Sequence, residues 1–544
     1  MARRRLYLEA MTEFAPVYPY PLPEIYQNSA DFALTVNGID IPVTVYTKDY
    51  DYASLATGEG KVRFELTLHG GEAIHNWEIS PRKLGISPQV EGSKLIFTLA
   101  RGEYLIVRLN GRMKHLVIAA DVAETQVPAT NGEGIFNIAS APYSLAGTAD
   151  FEEGAQDAEL LSRTAALQQA LDDASRYGTA AGGGAQGTVY IPAGVYCISN
   201  LVIGSNTAVY LEPGAVLLCT SDAARLKEHW FKDSVGKPVT WWIATAYQSD
   251  NIRLFGRGTL DGNGEALSAN GMINNLLVPI ATSDFHLDGL TVRNASAWAI
   301  TTIRSHALSF ADLKMFNSMN MGENDGIDVC ESQQVTVRRA IGVGLDDPFS
   351  TKSWMETTDI ASGKTPWPGS PEPVTDVLFE DCLAWTICYG FKVGQGVQQV
   401  QERITFRNCV VYDAAVGFGI HHKYGTAEAR NITFENMEVE HLSYMNDDNS
   451  AWMTMFIIDG SGLGVGPVSD IVIRQVNVYD KGQGSAKLQG TSDAPLTNVT
   501  FQNIYMPGKQ EAAASLEEMN FGIREYEHDI RILPERVQTQ QEGL

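Results

Sequence analysis

Short runs of alternating apolar and polar residues recur along most of this chain. In the first quarter they include Phe32–Val36, Val62–Leu68 and Tyr104–Leu109, separated by Asn-Gly, Gly-Gly and Arg-Gly turns. A period of two places one face of a strand in a core and the other in solvent. Residues 1–127 are therefore predicted to form a small antiparallel β-sandwich, an accessory domain that either caps the next domain or contacts substrate.

The next segment contains a helical pattern. The sequence from Thr164 to Ala174 reads TAALQQALDDA, which is rich in helix formers and has Thr164 at a plausible N-cap. A Gly-rich turn and the strand-like sequence TVYIPAGVY follow, an order that resembles the entry to a pectate-lyase-like β-helix. Residues 128–180 are accordingly predicted to be a linker and a helix that caps the open end of the following domain.

One unit then recurs through the rest of the chain. It consists of a short strand with alternating apolar residues, a turn residue that is usually Asn or Asp, and a second short strand. Its copies begin at Asn251, Phe285, Val335, Val377, Ile404, Ile432, Ile471 and Val499. Intervals of about 25 residues, or longer where insertions occur, are typical of a solenoid repeat. Stacked coils pair their backbones and bury a continuous apolar column.

This pattern predicts a right-handed parallel β-helix over residues 181–509. A leucine-rich repeat would show helices and a regular Leu-x-x-Leu-x-Leu pattern, and a propeller would need repeats of about 40 residues, so both are disfavoured. Residues 510–544, rich in Glu and Ala, are predicted to be a C-terminal helical tail over the last coil. The predicted fold is all-β, a solenoid preceded by a sandwich.

Composition narrows the classes of partner. A net charge of −25 argues against nucleic-acid binding, because such a surface repels phosphates. No segment reaches transmembrane length and the N-terminus lacks a secretory signal, so no membrane association and a cytoplasmic location are expected, or secretion if a leader has been removed. The six cysteines lack metal-type spacing and are interpreted as buried thiols. With no nucleotide-binding motif, no organic cofactor is expected. No metal is expected either, because the adjacent His421 and His422 would point to opposite faces of a strand. The oligomeric state stays open.

Three aspartates form the densest candidate for chemistry. Asp325 lies in the sequence ENDGID, and Asp346 and Asp347 lie in GLDDPFSTKS, with Asp346 following Asp325 by 21 residues. Adjacent coils of a solenoid would place the three carboxyls on one face, where like charges raise the pKa of at least one. One acid and one base is what glycoside hydrolysis requires. The alternative is that these residues only form Asx turns, as in other coils.

At these residues the sequence resembles the polygalacturonases of glycoside hydrolase family 28, whose motifs are Asn-Thr-Asp-Gly-Ile-Asp, Asp-Asp-Cys-Ile-Ala-x-Lys-Ser, Gly-His-Gly and Arg-Ile-Lys. The resemblance extends from about Thr188 to Pro507, and the sandwich-plus-solenoid arrangement is also similar to family 49 dextranases. It implies that Asp346 is the general acid. It also implies that Asp325 and Asp347 position and deprotonate the water, with inversion at the anomeric carbon.

The last two motifs depart from the family pattern. Tyr389 stands where Gly-His-Gly has its histidine, and Gly419 and His421 replace the arginine and lysine of Arg-Ile-Lys. In the family that pair grips the uronate carboxylate. The substrate is therefore expected to be a neutral, dextran-like glycan or an atypical pectic chain.

Basic and aromatic residues around the aspartates are predicted to bind this carbohydrate. They are Lys352, Trp354, Tyr389, Lys392, His421, His422 and Lys423. The cationic side chains could rebuild a positive subsite and the aromatic rings, with Trp367 and Tyr424, could stack on sugars. Trp298 and Trp385 are assigned to the core, and the insertion 355–373 to a loop at the rim of the cleft.

The sequence thus predicts an inverting glycoside hydrolase of a poly- or oligosaccharide. One alternative is a polysaccharide lyase acting on a uronic-acid glycan, for which Lys392 could serve as the base. Another is a non-catalytic glycan-binding solenoid, since fold resemblance alone does not establish activity.

Overall fold

The N-terminal domain is a sandwich of two β-sheets. The computed structural model describes residues 14–148, 157–354, 367–445, 449–460, 462 and 464–534. The strands of the sandwich are β1 (Val17–Pro19), β2 (Phe32–Val36), β3 (Ile39–Ile41), β4 (Thr44–Val45), β5 (Tyr50–Thr57), β6 (Val62–Leu68), β7 (Trp77–Ser80), β8 (Gln89–Glu91), β9 (Lys94–Leu99), β10 (Tyr104–Leu109) and β11 (His115–Val122). One sheet has the order β1-β5-β11-β10-β7 with β4 beside β5, and the other has the order β3-β2-β6-β9-β8.

Alternating residues build the core between these sheets. In β2 the side chains of Phe32, Leu34 and Val36 are buried while the intervening ones are partly exposed, and the rings of Phe64 and Phe97 stack at 5.1 Å. The predicted antiparallel sandwich is confirmed, with the qualification that β5 and β11 pair in parallel.

The rest of the chain winds into a right-handed parallel β-helix. Its first strands are β12 (Ile135–Asn137), β13 (Gly187–Ile191), β14 (Gly194–Ile198), β15 (Leu201–Ile203), β16 (Thr207–Leu211), β17 (Ala215–Cys219), β18 (Trp230–Lys232), β19 (Lys237–Thr245), β20 (Asp250–Gly256), β21 (Thr259–Asp261), β22 (Ile273–Val278), β23 (Ser283–Asp288), β24 (Thr291–Arg293), β25 (Ile300–Ile303) and β26 (His306–Phe316). The others are β27 (Ile327–Cys330), β28 (Gln333–Gly344), β29 (Phe349–Ser353), β30 (Val374–Glu380), β31 (Leu383–Thr386), β32 (Tyr389–Val397), β33 (Gln401–Arg407), β34 (Val410–Asp413), β35 (Val416–Tyr424), β36 (Ala429–His441), β37 (Ala451–Ile457), β38 (Val468–Val478), β39 (Ala486–Gln489), β40 (Leu496–Tyr505), β41 (Phe521–Glu525) and β42 (Glu527–Leu533).

Two long sheets form the walls of this solenoid. One sheet of 19 strands runs from β12 to β42, and one of 12 strands contains β15, β19, β22, β25, β27, β29, β32, β35, β37, β39 and β41, with β18 added beside β19. Within the described residues, the α-helices are α1 (Asp157–Ala181) and α2 (Gly264–Ala269), and the short 3₁₀ helices are His69–Gly71, Arg82–Leu84 and Ala223–Arg225. Among the helices described, none is both long enough and apolar enough to span a bilayer.

The repeats seen in the sequence stack in register. One inward column consists of Val335, Val377, Ile404, Ile432, Ile471, Val499 and Ile530. Beside it, successive phenylalanine rings of Phe379, Phe406 and Phe434 stack with centroids 4.9 Å apart, close to the spacing of paired strands. The turn residues Asn408 and Asn436 have positive φ angles, a conformation that asparagine tolerates better than most residues. The predicted solenoid is confirmed.

Helix α1 covers the N-terminal end of the solenoid. Leu167, Leu171 and Ala174 are buried in the same core as the first coils. The prediction of Thr164 as the N-cap is wrong, because α1 already includes Asp157 and the Thr164 hydroxyl donates to the carbonyl of Leu160 one turn earlier.

The sandwich lies along the flank of the solenoid rather than at its end. Tyr50 and Tyr52 pack with Phe316, Ile341 and Trp385, which come from successive coils. The predicted capping role is therefore wrong for the sandwich, because α1 already covers the N-terminal end of the solenoid. The sandwich instead buries the aromatic side chains on the flank of the coils, which would otherwise form an exposed apolar patch.

The C-terminal segment extends the solenoid instead of forming a helical tail. Strands β41 and β42 pair with β39 and β40, so the coils continue to Leu533 rather than ending near residue 509. Ile530 and Ile532 pack against the core. The helical prediction is wrong for the described part, because pairing with the open edge of the preceding coil outweighs local helix propensity; residues 535–544 lie outside the described residues.

Candidate functional site

The three aspartates lie at corresponding positions of adjacent coils. Asp325 precedes β27, and Asp346 and Asp347 precede β29. Ile327 pairs with Phe349 across these strands, and the Gly326 amide donates to the Asp347 carbonyl at 3.1 Å. This register places Asp325 beside Asp347, with Asp346 one residue away, and brings the predicted carboxyls together.

Asn324 fixes the loop that carries Asp346. Its side-chain oxygen accepts from the amides of Leu345 and Asp346 at 3.0 and 3.2 Å, and its side-chain nitrogen donates to the Ser318 carbonyl at 2.7 Å. Because Asn324 directly precedes Asp325, one asparagine sets the relative position of the two coils.

Asp325 is buried against a lysine of the next coil. Its carboxylate forms an ion pair with Lys352, whose ammonium also lies 2.9 Å from Asp328. Burial raises the pKa of Asp325 well above its usual range, and the charges of Asp328 and Asp346 raise it further while Lys352 lowers it. The two carboxylates raise the pKa of Lys352 against the opposing effect of burial, so Lys352 stays charged.

Asp347 is held from two sides. Its Oδ2 lies 2.7 Å from the ammonium of Lys392, and its Oδ1 accepts from the Tyr389 amide at 3.2 Å. The pKa of Lys392 is raised, although burial alone would lower it, mainly because of the Asp347 charge. Both carboxylate oxygens of Asp347 are therefore occupied.

Asp346 differs from its two neighbours. It is half-buried, and its Oδ1 accepts from the Asp347 amide at 2.9 Å. Among the residues that the structure describes, no lysine, arginine or histidine forms an ion pair with Asp346. Its second oxygen is thus the carboxyl atom of the trio most available to a ligand.

These carboxyls open into a pocket of about 220 Å³. Its lining is formed by Lys232, Ser234, Trp298, Glu323, Asp325, Asp346, Asp347, Lys352, Trp354, Lys392, Gln395, Lys423 and Tyr424. The sequence analysis overlooked Lys232 and Glu323, which form an ion pair of 2.7 Å, and assigned Trp298 to the core, whereas the ring also lines the pocket. Glu323 is the first residue of the ENDGID motif, but Lys232 lies far away in sequence and no motif marks it.

The predicted positive subsite is reduced to one lysine. His422 is fully buried and its Nε2 contacts the carbonyl of Ala427, so the prediction that it contacts sugar is wrong: neighbouring strand residues face opposite ways. Burial, followed by the charges of Lys392 and Lys423, lowers the pKa of His421 well below its usual range. His421 is consequently neutral, and it packs on Phe456 with ring centroids 4.1 Å apart.

Lys423 is the remaining cation. Its ammonium lies 5.0 Å from the centre of the Tyr424 ring, and no carboxylate of the described ranges lies within ion-pair distance of it. The other pocket lysines, Lys232, Lys352 and Lys392, are each paired with an acidic residue.

The aromatic predictions divide. Trp354 lines the pocket and stacks on Trp298 with ring centroids 6.2 Å apart. Tyr389 is 5% exposed and is not among the residues that line the pocket, and its hydroxyl contacts that of Thr454 at 2.9 Å. Its amide donates to Asp347, and its contact with sugar stays a prediction. Trp367 is buried, and most of the predicted rim loop, residues 355–366, lies outside the described residues.

Two acidic groupings have the spacing of metal ligands. One ligand atom each of Glu323, Asp325 and Asp346 lies within 4.8 Å of the others, and the same holds for Asp346, Asp347 and Cys388. A divalent cation at either grouping would compete with lysine ammoniums already paired to these carboxylates. The cysteines are free thiols, five of them buried, and burial raises the pKa of the Cys388 thiol.

The sequence of this chain is similar to those of known glycoside hydrolases. The sequence profile described as Glycosyl hydrolases family 28 matches residues 220–523, more than half of the chain. The chain is 23% identical over 360 residues to an exopolygalacturonase of Zea mays, covering 63% of this chain and 78% of that protein. It is 23% identical over 320 residues to rhamnogalacturonase A of Emericella nidulans, covering 55% and 57%.

Solved structures show the same fold. A family 28 exopolygalacturonase of Yersinia enterocolitica superimposes with a TM-score of 0.53 and 14% identity, covering 95% of this chain and 96% of that chain. A polygalacturonase of Erwinia carotovora ssp. carotovora superimposes with a TM-score of 0.52 and 15% identity, covering 74% of this chain and all of the other.

Proposed function

Because the chain belongs to glycosyl hydrolases family 28, we propose that it hydrolyses a glycosidic bond of an acidic, pectic polysaccharide or oligosaccharide with inversion at the anomeric carbon. The observation that supports this proposal is that the three carboxyls differ in their ion pairs. Asp325 and Asp347 are each held by a lysine, whereas Asp346 has no cationic partner among the described residues. Hydrolysis needs one carboxyl that gives a proton and another that takes one.

Asp346 is suited to be the general acid. A lysine beside a carboxyl stabilises its ionised form, so a proton donor is best placed away from one. Asp346 meets this condition, because no lysine, arginine or histidine of the described residues forms an ion pair with it. From its half-buried position it would protonate the leaving oxygen of the glycosidic bond.

Asp325 and Asp347 are suited to orient and deprotonate water. Lys352 and Lys392 lie against these two carboxyls, and Oδ1 of Asp325, which is shielded from solvent, has no hydrogen-bond partner within the described part of the chain. We place the attacking water at this unsatisfied acceptor. Proton transfer from the water to Asp325 as it attacks the anomeric carbon completes the step, while Asp346 gives its proton to the leaving group.

The stereochemical outcome rests on which oxygens are free. Inverting glycosidases commonly hold their carboxyls about 6.5–9.5 Å apart and retaining ones about 5–5.5 Å apart, so the spacing of under 4.8 Å between oxygens of Asp325 and Asp346 favours retention by itself. A retaining enzyme needs a nucleophilic oxygen that can bond to the anomeric carbon. Both oxygens of Asp347 are engaged, and Asp325 is only 1% exposed, which suits contact with water rather than with a ring carbon. We therefore favour inversion.

The substrate class follows from Lys423 and from the relatives. The relatives' names refer to polygalacturonan and rhamnogalacturonan, both of which contain uronic acids. The family's arginine is missing, which favoured a neutral glycan, but Lys423 supplies a cation without an acidic partner among the described residues. Its strand, β35, is two coils from β29, or about 10 Å along the solenoid, a distance suited to the carboxylate of the neighbouring sugar.

The lyase alternative fits this geometry less well. A lyase needs a neutral base to remove the proton next to the uronate. Lys352 and Lys392 are buried in ion pairs that raise the pKa of each ammonium, so neither is available to accept a proton.

A substrate panel tests the proposal. The protein would be incubated with polygalacturonate, rhamnogalacturonan, dextran and arabinan, following new reducing ends and the near-ultraviolet absorbance of unsaturated products. Reducing ends from an acidic glycan, without that absorbance, are expected, and proton NMR of the first product should show the anomer opposite to the substrate linkage. Absorbance would indicate a lyase, cleavage of dextran alone would overturn the acidic substrate, and a retained anomer would overturn inversion.

A further inference from the structure

We infer that Lys232 and Glu323 form a hydroxyl-binding subsite for the sugar ring at the scissile bond. The inference rests on the proposed function, because it concerns the same pocket. The pair lies at the end of the pocket opposite Lys423. The two residues come from segments distant in sequence, the hairpin of β18 and β19 and the loop before β27.

The pair is built into the wall of the pocket. Lys232 is 2% exposed, and its ammonium lies 2.7 Å from Oε2 of Glu323 and 4.7 Å from the centre of the Trp298 ring. The Ser234 hydroxyl donates to Oε1 of Glu323 at 3.4 Å. Removing a lysine from water is costly and a buried ion pair seldom repays it in stability. A role in ligand recognition gives this buried pair a function beside the aspartates.

The backbone conformation of Glu323 determines where its carboxylate lies. Its φ is +65°, in the left-handed region that non-glycine residues seldom adopt. In this chain positive φ angles recur at turns between strands, as at Asn408 and Asn436, so the turn at Glu323 belongs to the coil geometry. Here the conformation places an oxygen of Glu323 within 4.8 Å of oxygens of both Asp325 and Asp346.

This placement defines the ligand chemistry. A sugar whose glycosidic oxygen contacts Asp346 must bring ring hydroxyls within reach of Glu323. A carboxylate accepts hydrogen bonds from hydroxyl groups, and an ammonium donates to hydroxyl oxygens, so the pair can bind two adjacent hydroxyls of one ring. At one end of the pocket, the Lys232–Glu323 pair would bind sugar hydroxyls and carries no net charge. At the other end, Lys423, which has no acidic partner among the described residues, would bind a carboxylate.

The hairpin provides a matched control. Lys237 is the cross-strand partner of Lys232, but its ammonium contacts Ser268 at 2.8 and 2.9 Å, away from the pocket. Lys237→Met therefore removes the same type of side chain from the same hairpin without touching the subsite.

Binding in the Asp346→Asn background tests the inference separately from turnover. Calorimetric titration would use trigalacturonate and a rhamnogalacturonan tetrasaccharide as probes. Adding Lys232→Met or Glu323→Gln should weaken the Kd of the bound sugar by about 10- to 100-fold, the range for lost hydrogen bonds to charged groups. Adding both should cost no more than the sum of the two, since they serve one subsite, and Lys237→Met should leave Kd unchanged.

The outcomes separate the inference from the proposed function. Unchanged affinity in Lys232→Met and in Glu323→Gln, with binding to the background protein intact, would overturn the subsite alone. Failure of the background protein to bind either sugar would overturn the subsite together with the pectic assignment. Thermal unfolding of each variant checks the fold; if Lys232→Met does not fold, the isosteric Glu323→Gln decides.

Discussion

Two sets of ion pairs on this solenoid each join a basic to an acidic side chain, with opposite consequences. On the outside of the long sheet, Arg403 pairs with Asp376 at 2.7 Å, and the two side chains are 50% and 44% exposed. In the pocket, Lys392 pairs with Asp347 at the same distance, with 6% and 2% exposure. The outer pairs lie in water and are screened, so their net contribution is small. In the pocket each charge depends on its partner, because neither can be solvated.

The comparison shows that a repetitive fold can contain a site whose ion pairs are not repeated. Pairs on the outer face recur from coil to coil, as when Arg430 contacts Glu402 and Arg407 contacts Glu380, and losing one leaves its neighbours in place. The pocket pairs occur once each and set the protonation of groups proposed to react. Breaking pairs of each kind should therefore give effects of very different size.

The largest effect is expected for Asp346, the carboxyl without a cationic partner among the described residues. Asp346→Asn removes the proposed proton donor and preserves shape, so kcat should fall by about 10²- to 10⁴-fold, the usual contribution of general acid catalysis. Initial rates of reducing-end release measure the loss. Asp376→Asn, on the outer face, serves as control and should keep full activity; equal activity in both variants would contradict the assignment of Asp346.

Breaking a buried pair should affect both stability and pH dependence. Lys352→Met leaves Asp325 and Asp328 without their cation, and loss of one partner of a buried pair costs about 3–5 kcal/mol. Burial raises the pKa of Asp325 and Lys352 lowers it, so the variant should have a still higher pKa at Asp325. The acidic limb of kcat/KM should consequently move to higher pH.

The sign of the stability change follows from the same shift. A carboxyl whose pKa is raised in the folded state favours folding while it is protonated, and this contribution is lost as pH rises through the folded pKa. Lys352→Met should thus be destabilised more at neutral pH than in mild acid, as urea unfolding at several pH values would show. Destabilisation that does not depend on pH would mean that Lys352 acts through packing alone.

A smaller effect is expected for Lys423, the pocket lysine without an acidic partner among the described residues. Lys423→Ala should raise KM for an acidic oligosaccharide by about tenfold, as expected for one charge-assisted hydrogen bond, with little change in kcat. The difference from wild type should shrink at high salt, because the contact is partly exposed. Lys509→Ala, exposed near the end of β40, is the control; a variant of Lys423 that binds normally would remove the main structural support for an acidic substrate.

The smallest effect is expected on the outer face. Arg403→Ala removes contacts to Asp376 and Glu402, but water solvates all three groups. Neither the urea midpoint nor kcat/KM should change measurably. A clear loss of stability would show that the outer pairs act as a coupled network. The outer and pocket pairs would then differ only in the size of their contribution to stability.

The sequence by itself determined the repeats and the carboxyls. Alternating apolar residues at intervals of about one coil can bury their faces only by stacking, and Asp325, Asp346 and Asp347 meet because the coil length matches their separation in sequence. Local rules were also sufficient for the Asn turns. They failed at the C-terminus, where the open edge of a coil converted a helix-like sequence into β41 and β42.

Only the tertiary structure decided which side chains share the pocket and in which charge state. Lys232 reaches Glu323 through a hairpin that no motif marks, and Trp298 is at once a core ring and part of the pocket wall. His421 is neutral because burial and neighbouring lysines lower its pKa, which leaves Lys423 as the cation for substrate. Charge and burial depend on residues that are distant along the chain and adjacent in space, and for that reason a linear pattern does not contain them.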